Sequence, residues 1–286
     1  MNFKKLSYLA VGCALTLANS ALAETPKPKI EFPQSSPSCT LKQRVGLTDI
    51  EVDYSRPGVK DREIFGDVVP FDKVWRTGAN QATKIIFSTP VKLNGTEIPA
   101  GTYALMTIPG KDEWTIIINK GAEQWGAYKY DEKSDIARIK ATPVTLDKAV
   151  DAFTIEFNKI RDESSFLNIV WDKTEVPIKV EVDFVDKLVK QIDEVMASDA
   201  KEKPYFQAAH FYYDHDLDMQ KAKKWIDAAN AEKEMFYTVY WKAKILAKLG
   251  EKNEAIATAK HAKELAEKAH EDTFVKLNAD LIASLQ

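Results

Sequence analysis

Nine side chains with chemically useful groups lie in two polar, aromatic stretches of the sequence. Arg56, Lys60, Arg62, Trp75, Arg76 and Asn80 fall in residues 54–83 (YSRPGVKDREIFGDVVPFDKVWRTGANQAT), and Tyr128, Asp131 and Asp135 in residues 125–139 (WGAYKYDEKSDIARI). A guanidinium holds a carboxylate, sulfate or phosphate through two parallel hydrogen bonds. A pair of carboxyls does acid–base work when their surroundings push their pKa values apart. Two readings stay open at this level: the cations and carboxylates pair with one another across the end of a β structure, or they face a ligand cleft. Within the cleft reading there are two classes of function. One is a binding or scaffolding protein for an anionic small molecule or glycan. The other is a carboxylate-dependent hydrolase, with Asp131 or Asp135 as base and Arg76 holding an anion. The length of the 54–83 stretch favours a functional loop over a plain connection. Trp75 is either a member of the site or an anchor packed beneath the loop.

The distribution of residue types narrows the chemistry. All six arginines lie between Arg44 and Arg161, and all four histidines between His210 and His270. The N-terminal part therefore has no histidine with which to build a Ser-His-Asp triad, a Cys-His dyad or a histidine-ligated zinc site. The run DHDLDMQKAKKW (214–225) begins like a calcium loop, but Met219 stands where glycine is required and Trp225 where a bidentate glutamate belongs. His210 and Asp214 are spaced i,i+4 and could share a helix face as ligands, a pair that by itself does not make a metal site. No metal and no cofactor is expected. The net charge is −3, which argues against nucleic acid as a partner, since such binding needs a basic face.

Two kinds of element must position these residues. IEVDYS, TKIIFS, TYALMTI, WTIIIN, FTIEFN, FLNIVW and IKVEVDF are short and rich in β-branched and aromatic residues, and several of them alternate with period two. Asn94-Gly95 is a two-residue hairpin signal, because both residues tolerate positive φ. These segments predict an antiparallel β domain over 37–184, a sandwich or a partly closed barrel. After Phe184 the apolar period changes to 3.6. Ala222, Ile226 and Ala229 reappear as Ala255, Ala259 and Ala262, a shift of 33 residues. This resembles tetratricopeptide repeats, in which small residues let antiparallel helices approach closely. Residues 186–286 are thus expected to form two helical hairpins and a terminal helix over 271–285. Such repeats imply a protein or peptide partner, and the aromatic run MFYTVYW (235–241) reads as a packed first helix of a repeat. The whole is an α+β chain of two domains.

The N-terminus reads as a processing signal. Lys4 and Lys5 precede an apolar run from Leu6 to Leu17, and Ala21-Leu22-Ala23 forms a cleavage site, so 1–23 is expected to be a signal peptide. Cys13 lies inside the apolar run, with Ala10 where a lipoprotein signal prefers a larger aliphatic residue. Residues 24–36 (ETPKPKIEFPQSS) read as a proline-rich tether. No later segment has the ~18 apolar residues that a membrane span needs. The expected location is periplasmic or secreted, and Cys39 is then the only cysteine of the mature chain.

A resemblance joins these observations. Ser55-Arg56-Pro57, Lys60, Arg62, Ile64-Phe65-Gly66, Pro70, Val74-Trp75-Arg76, Gly78-Ala79-Asn80 and Ala82-Thr83 form a pattern continued by IPAGTYALMTIPGKDEWTIIINK (98–120) and WGAYKYD (125–131). Over residues 37–182 this resembles the domain of unknown function family 2911. The resemblance implies a secreted bacterial β domain, in some members followed by helical repeats, and brings no activity with it. With one cysteine after processing and histidines only in the helical part, neither metal nor disulfide should hold the fold together. A chelator and a reductant should each leave the melting temperature unchanged; a large fall with chelator would reveal a metal site built from carboxylates.

Overall fold

The computed structural model of the chain describes residues 32–286. The proposed signal peptide, Cys13 and the first part of the tether lie outside the described residues. Ten strands occupy the N-terminal half: β1 (Ser38–Val45), β2 (Thr48–Ser55), β3 (Thr83–Phe87), β4 (Val91–Leu93), β5 (Thr96–Ile98), β6 (Gly101–Ile108), β7 (Trp114–Asn119), β8 (Asp135–Ala141), β9 (Val144–Asn158) and β10 (Ser164–Val182). Six helices follow: α1 (Val185–Ala197), α2 (Tyr205–Asp214), α3 (Met219–Glu232), α4 (Phe236–Lys248), α5 (Lys252–Lys268) and α6 (Asp272–Ser284).

The strands form two antiparallel sheets, one of six strands in the order β1-β2-β3-β6-β7-β8 and one of four in the order β5-β4-β10-β9. Period-two alternation decides the inner faces. Ile50 and Val52, Ile85 and Phe87, Tyr103 and Leu105, and Ile116 and Ile118 point inward from the larger sheet. Val91 and Leu93, Phe153 and Ile155, Leu167 and Ile169, and Ile178 and Val180 meet them from the smaller one. The result is a sandwich and not a closed barrel. Asn94 and Gly95 take φ of 44° and 81° in the β4–β5 hairpin, as a two-residue turn requires.

Two strands carry too little apolar character to announce themselves. β1 (SCTLKQRV) is an edge strand, exposed at every other residue, and β8 (DIARIKA) closes the opposite edge. β10 unites the FLNIVW and IKVEVDF segments in a single 19-residue strand, bent against β9 by register shifts around Asp172.

In the helical part, Ala222, Ile226 and Ala229 of α3 and Ala255, Ala259 and Ala262 of α5 are all buried, so the 33-residue shift marks equivalent helices of successive hairpins. The acidic run before α3 has a structural use. Asp218 is its N-cap, its carboxylate accepting from Gln220 N and Lys221 N. Tyr240 and Val239 are buried in α4, and α6 supplies the terminal helix. α1 packs Val189, Ile192 and Met196 onto the α2–α3 hairpin, and Asp193 accepts from the Tyr212 hydroxyl at 2.9 Å and from Lys221.

The two regions share apolar contacts through Phe184. It belongs to the sandwich core and lies 6.3 Å from the Phe211 ring of α2. The β1–β2 turn leaves room for it only because residue 46 is glycine: at φ +54°, an added Cβ would sit 2.6 Å from Phe184 Cε1 and 2.7 Å from the Asp162 carbonyl oxygen. Gly46→Ala should therefore destabilise the protein by at least ~1–3 kcal/mol through overpacking, with left-handed strain added. Urea unfolding of the variant checks this, and a change below ~0.5 kcal/mol would show that the turn yields freely.

Candidate functional site

The 54–83 stretch is folded around one side chain. Trp75 pairs its backbone with Thr107 on β6, N to O at 2.7 Å and back at 2.9 Å, extending the line of β3 past a bulging loop. Its ring stacks on Trp171 at 5.9 Å and meets Phe153, Phe65 and Trp114 edge-on. The indole N–H donates to Gly78 O at 3.1 Å and so closes the loop. Trp75 is thus an anchor between the sheets. Because neighbouring residues of an extended segment alternate, Val74 joins the cluster on the opposite, outer face of the six-stranded sheet, together with Ala82, Ala104, Met106, Ile117 and Tyr130. Arg76 lies on that face too, beside Gly126.

A polar row crosses this outer face. Strand register places Thr40, Asp53, Lys84, Ala104, Asn119 and Asp135 side by side from β1 to β8. At one end Thr40 donates to Asp53 at 2.6 Å, and Lys84 lies 3.8 Å from Asp53 and 3.3 Å from Glu123. A cavity of about 260 Å³ opens there, lined by Thr40, Asp53, Ser55, Gln81, Lys84 and Glu123 among others. At the other end Asn119, fully buried, donates to Asp135 at 2.7 Å and to the Asp131 carbonyl at 3.0 Å. Asp135 also accepts from the Tyr130 hydroxyl at 2.6 Å and from Arg138 at 3.3 Å. Burial, and then the hydrogen bond to the Asp135 carboxylate, hold the Tyr130 hydroxyl well above the usual phenol range.

The loop between β7 and β8 lies over the middle of the row. Gln81 bridges to Trp125, Ala82 N donates to Gln124 O, and Gly126 N donates to Asn80 O. Gly126, at φ +65°, is wedged so tightly that a Cβ would fall 2.8 Å from the Tyr128 ring and 3.6 Å from Arg76 Nη1. The guanidinium and the phenol thus flank one glycine.

The residues singled out by sequence divide accordingly. Arg76, Asn80 and Tyr128 meet around Gly126; Asp131 lies further along the same loop and Asp135 opens β8. Asn80 donates to Ser36 O at 3.1 Å and to Ser55 Oγ at 3.2 Å, pinning the start of the described chain. Asp131 caps a single 3-10 turn, accepting from Lys133 N. Arg56 is held elsewhere, donating to Phe153 O at 3.0 Å and Thr154 Oγ1 at 2.7 Å on β9. Arg62 donates to Val59 O and Gly58 O of its own turn, and Lys60 is exposed in that turn. The sequence offers Trp125 and Tyr130 only as members of the 125–139 stretch, and it does not single out Asn119, Lys84 or Asp53. The alternation of TKIIF already set Lys84 on the outer face, but only the register reveals the row.

Arg76 stands apart energetically. Among the described residues, its buried Nε has no hydrogen-bond partner and its guanidinium forms no ion pair. Gln124 Oε1, in the covering loop, is likewise buried without a donor.

The class of protein is therefore an antiparallel β-sandwich with a polar row across one outer face, followed by helical hairpins. Residues 36–180, half of the chain, match the model of a family described as Protein of unknown function (DUF2911), and the chain belongs to that family. No curated protein and no solved structure matches the chain.

Trp75→Ala should cost ~3–5 kcal/mol, as large aromatic truncations do in cores. Asn119→Ala should cost ~1–3 kcal/mol, because the Asp135 carboxylate loses a buried donor. Hydrogen exchange should then show the 120–134 loop opening in Asn119→Ala while β2 and β6 stay protected; uniform loss of protection would mean that the row supports the whole sheet.

Proposed function

We propose that the protein is an exported binding protein whose β region takes a polar, anionic ligand on the outer face of the six-stranded sheet, with Arg76 as the anion contact. The observation that carries this reading is the unpartnered guanidinium. Arg56 and Arg62 show what structural arginines do in this fold: Arg56 donates to a carbonyl and a threonine hydroxyl, and Arg62 to two main-chain carbonyls. A buried donor left without a partner costs ~1–3 kcal/mol. Nε of Arg76 bears that cost, and no acceptor among the described residues engages its terminal amino groups, which leaves them for an external anion. The leader-like composition of residues 1–23 supports export. The half-buried rings of Phe206, His210 and Trp241, packed together on α2 and α4, support a role for the helices in docking a protein or peptide.

The hydrolase reading has less behind it. Acid–base catalysis needs one carboxyl free to give up a proton and another free to accept one. Asp135 is engaged by Asn119, Tyr130 and Arg138, and Asp131 is used as a cap.

Arg76→Met keeps the apolar stem and removes the orphaned donor. Its unfolding free energy should match or exceed that of the wild type by up to ~1 kcal/mol, whereas a structural ion-pair partner would cost ~3 kcal/mol or more. Sulfate, phosphate and citrate should raise the melting temperature of the wild type and leave Arg76→Met unmoved. A destabilised variant with no anion response in either protein would make Arg76 structural.

A further inference from the structure

Among the described residues, three aromatic side chains are exposed: Phe32 at 77%, Trp125 at 61% and Tyr128 at 84%. Two of them, Trp125 and Tyr128, flank Gly126 on the covering loop. Tyr128 lies against Gly126 beside Arg76 Nη1, and Trp125 sits opposite Gln81 on the covering loop. Phe32 precedes by two residues Gln34, whose side chain accepts from Asn80 at 3.3 Å. Every other Phe, Tyr and Trp ring of the described chain is at least partly covered, including the five that pack between the sheets. An open aromatic face presents negative charge density, which attracts polarised C–H groups as it does cations.

The 260 Å³ cavity is reached from this loop through Gln81, which lines it and bridges to Trp125. Its lining is mostly short hydrogen-bonding groups of both senses: Thr40 and Ser55 hydroxyls, the Gln81 amide, the Lys84 ammonium, and the Asp53 and Glu123 carboxylates. Cys39, Tyr54, Ala82 and Ala122 also line the cavity. Its volume falls below the ~300–1,000 Å³ of sites for drug-sized ligands and suits a single ring with several hydroxyls. Lys84, held between Asp53 and Glu123, offers no isolated positive charge, so the anionic part of a ligand is directed to Arg76.

Resting on the reading of Arg76 as an anion contact, we infer that the ligand is an acidic saccharide. Trp125 and Tyr128 stack on the C–H faces of pyranose rings, Arg76 takes the sugar carboxylate in bidentate fashion, and the Thr40–Asp53–Lys84 end of the polar row receives hydroxyls of a neighbouring ring. Saccharides display adjacent hydroxyls on a ring with two apolar faces, and that combination matches open aromatic rings set beside a hydroxyl-binding cavity.

The test is calorimetric titration of the full mature chain with tri-galacturonate, a hyaluronan tetrasaccharide and sialyllactose, against methyl-esterified tri-galacturonate, maltotriose and acetate. At least one acidic saccharide should bind, at least tenfold more tightly than acetate and than the uncharged sugars. Arg76→Met, Trp125→Ala and Tyr128→Ala should each weaken it at least tenfold, with melting temperatures unchanged for the two exposed rings. If acetate, sulfate or citrate binds in an Arg76-dependent way but no acidic saccharide exceeds them, the saccharide inference falls and the anion site stands. Saccharide binding unaffected by Trp125→Ala and Tyr128→Ala would overturn the stacking role. Failure of both anions and saccharides to bind would remove both readings.

Discussion

The packing of Trp75 between the two sheets is the contact on which the rest of the β region depends. Its ring fills the space among Phe65, Trp114, Phe153 and Trp171, and its backbone continues the β3 line along β6. Fixing Trp75 inward fixes Val74 and Arg76 outward, because adjacent residues of an extended chain face opposite sides. An interior aromatic contact thereby sets the position of a charged group on the surface. The loop from 76 to 82 closes over this anchor through the indole N–H, and the 120–130 loop in turn rests on residues 80–82.

Charge on the outer face is organised by the same geometry. Six strands in register place a polar or small residue at one level in each, and the two ends of that row are handled differently. Asp135 sits in a closed network with Asn119, Tyr130 and Arg138, where each partner satisfies the others. Asp53 and Lys84 face a cavity open to solvent. Between them Ala104, with no polar group, leaves room for the covering loop. A closed network stiffens the β8 end, while the open end retains hydrogen-bonding capacity for something outside the protein.

The junction follows a similar logic. Phe184 extends the sandwich core into the helical region, and Gly46 makes the space for it. His215 of the α2 C-terminus packs against both Phe184 and Phe211 and lies 3.1 Å from Glu163. The helical region is therefore joined to the end of the sandwich by ring contacts as well as by the chain.

The sequence by itself determined the change from strands to helices near Phe184, since burial with period two and burial with period 3.6 leave different marks in the order of residues. It determined the Asn94-Gly95 hairpin, the equivalence of α3 and α5, and the absence of histidine from the β region. It left β1 and β8 hidden, because edge strands have one buried face and share their pattern with polar loops. The fate of the three arginines in the 54–83 stretch was decided only by the tertiary structure. Arg56, Arg62 and Arg76 are one residue type within one segment, yet Arg56 is matched by a carbonyl and a hydroxyl nearly a hundred positions away on β9, Arg62 by its own turn, and Arg76 by no acceptor among the described residues. Whether a charge is satisfied depends on which acceptors folding brings within 3 Å, and no local pattern of residues contains that distance.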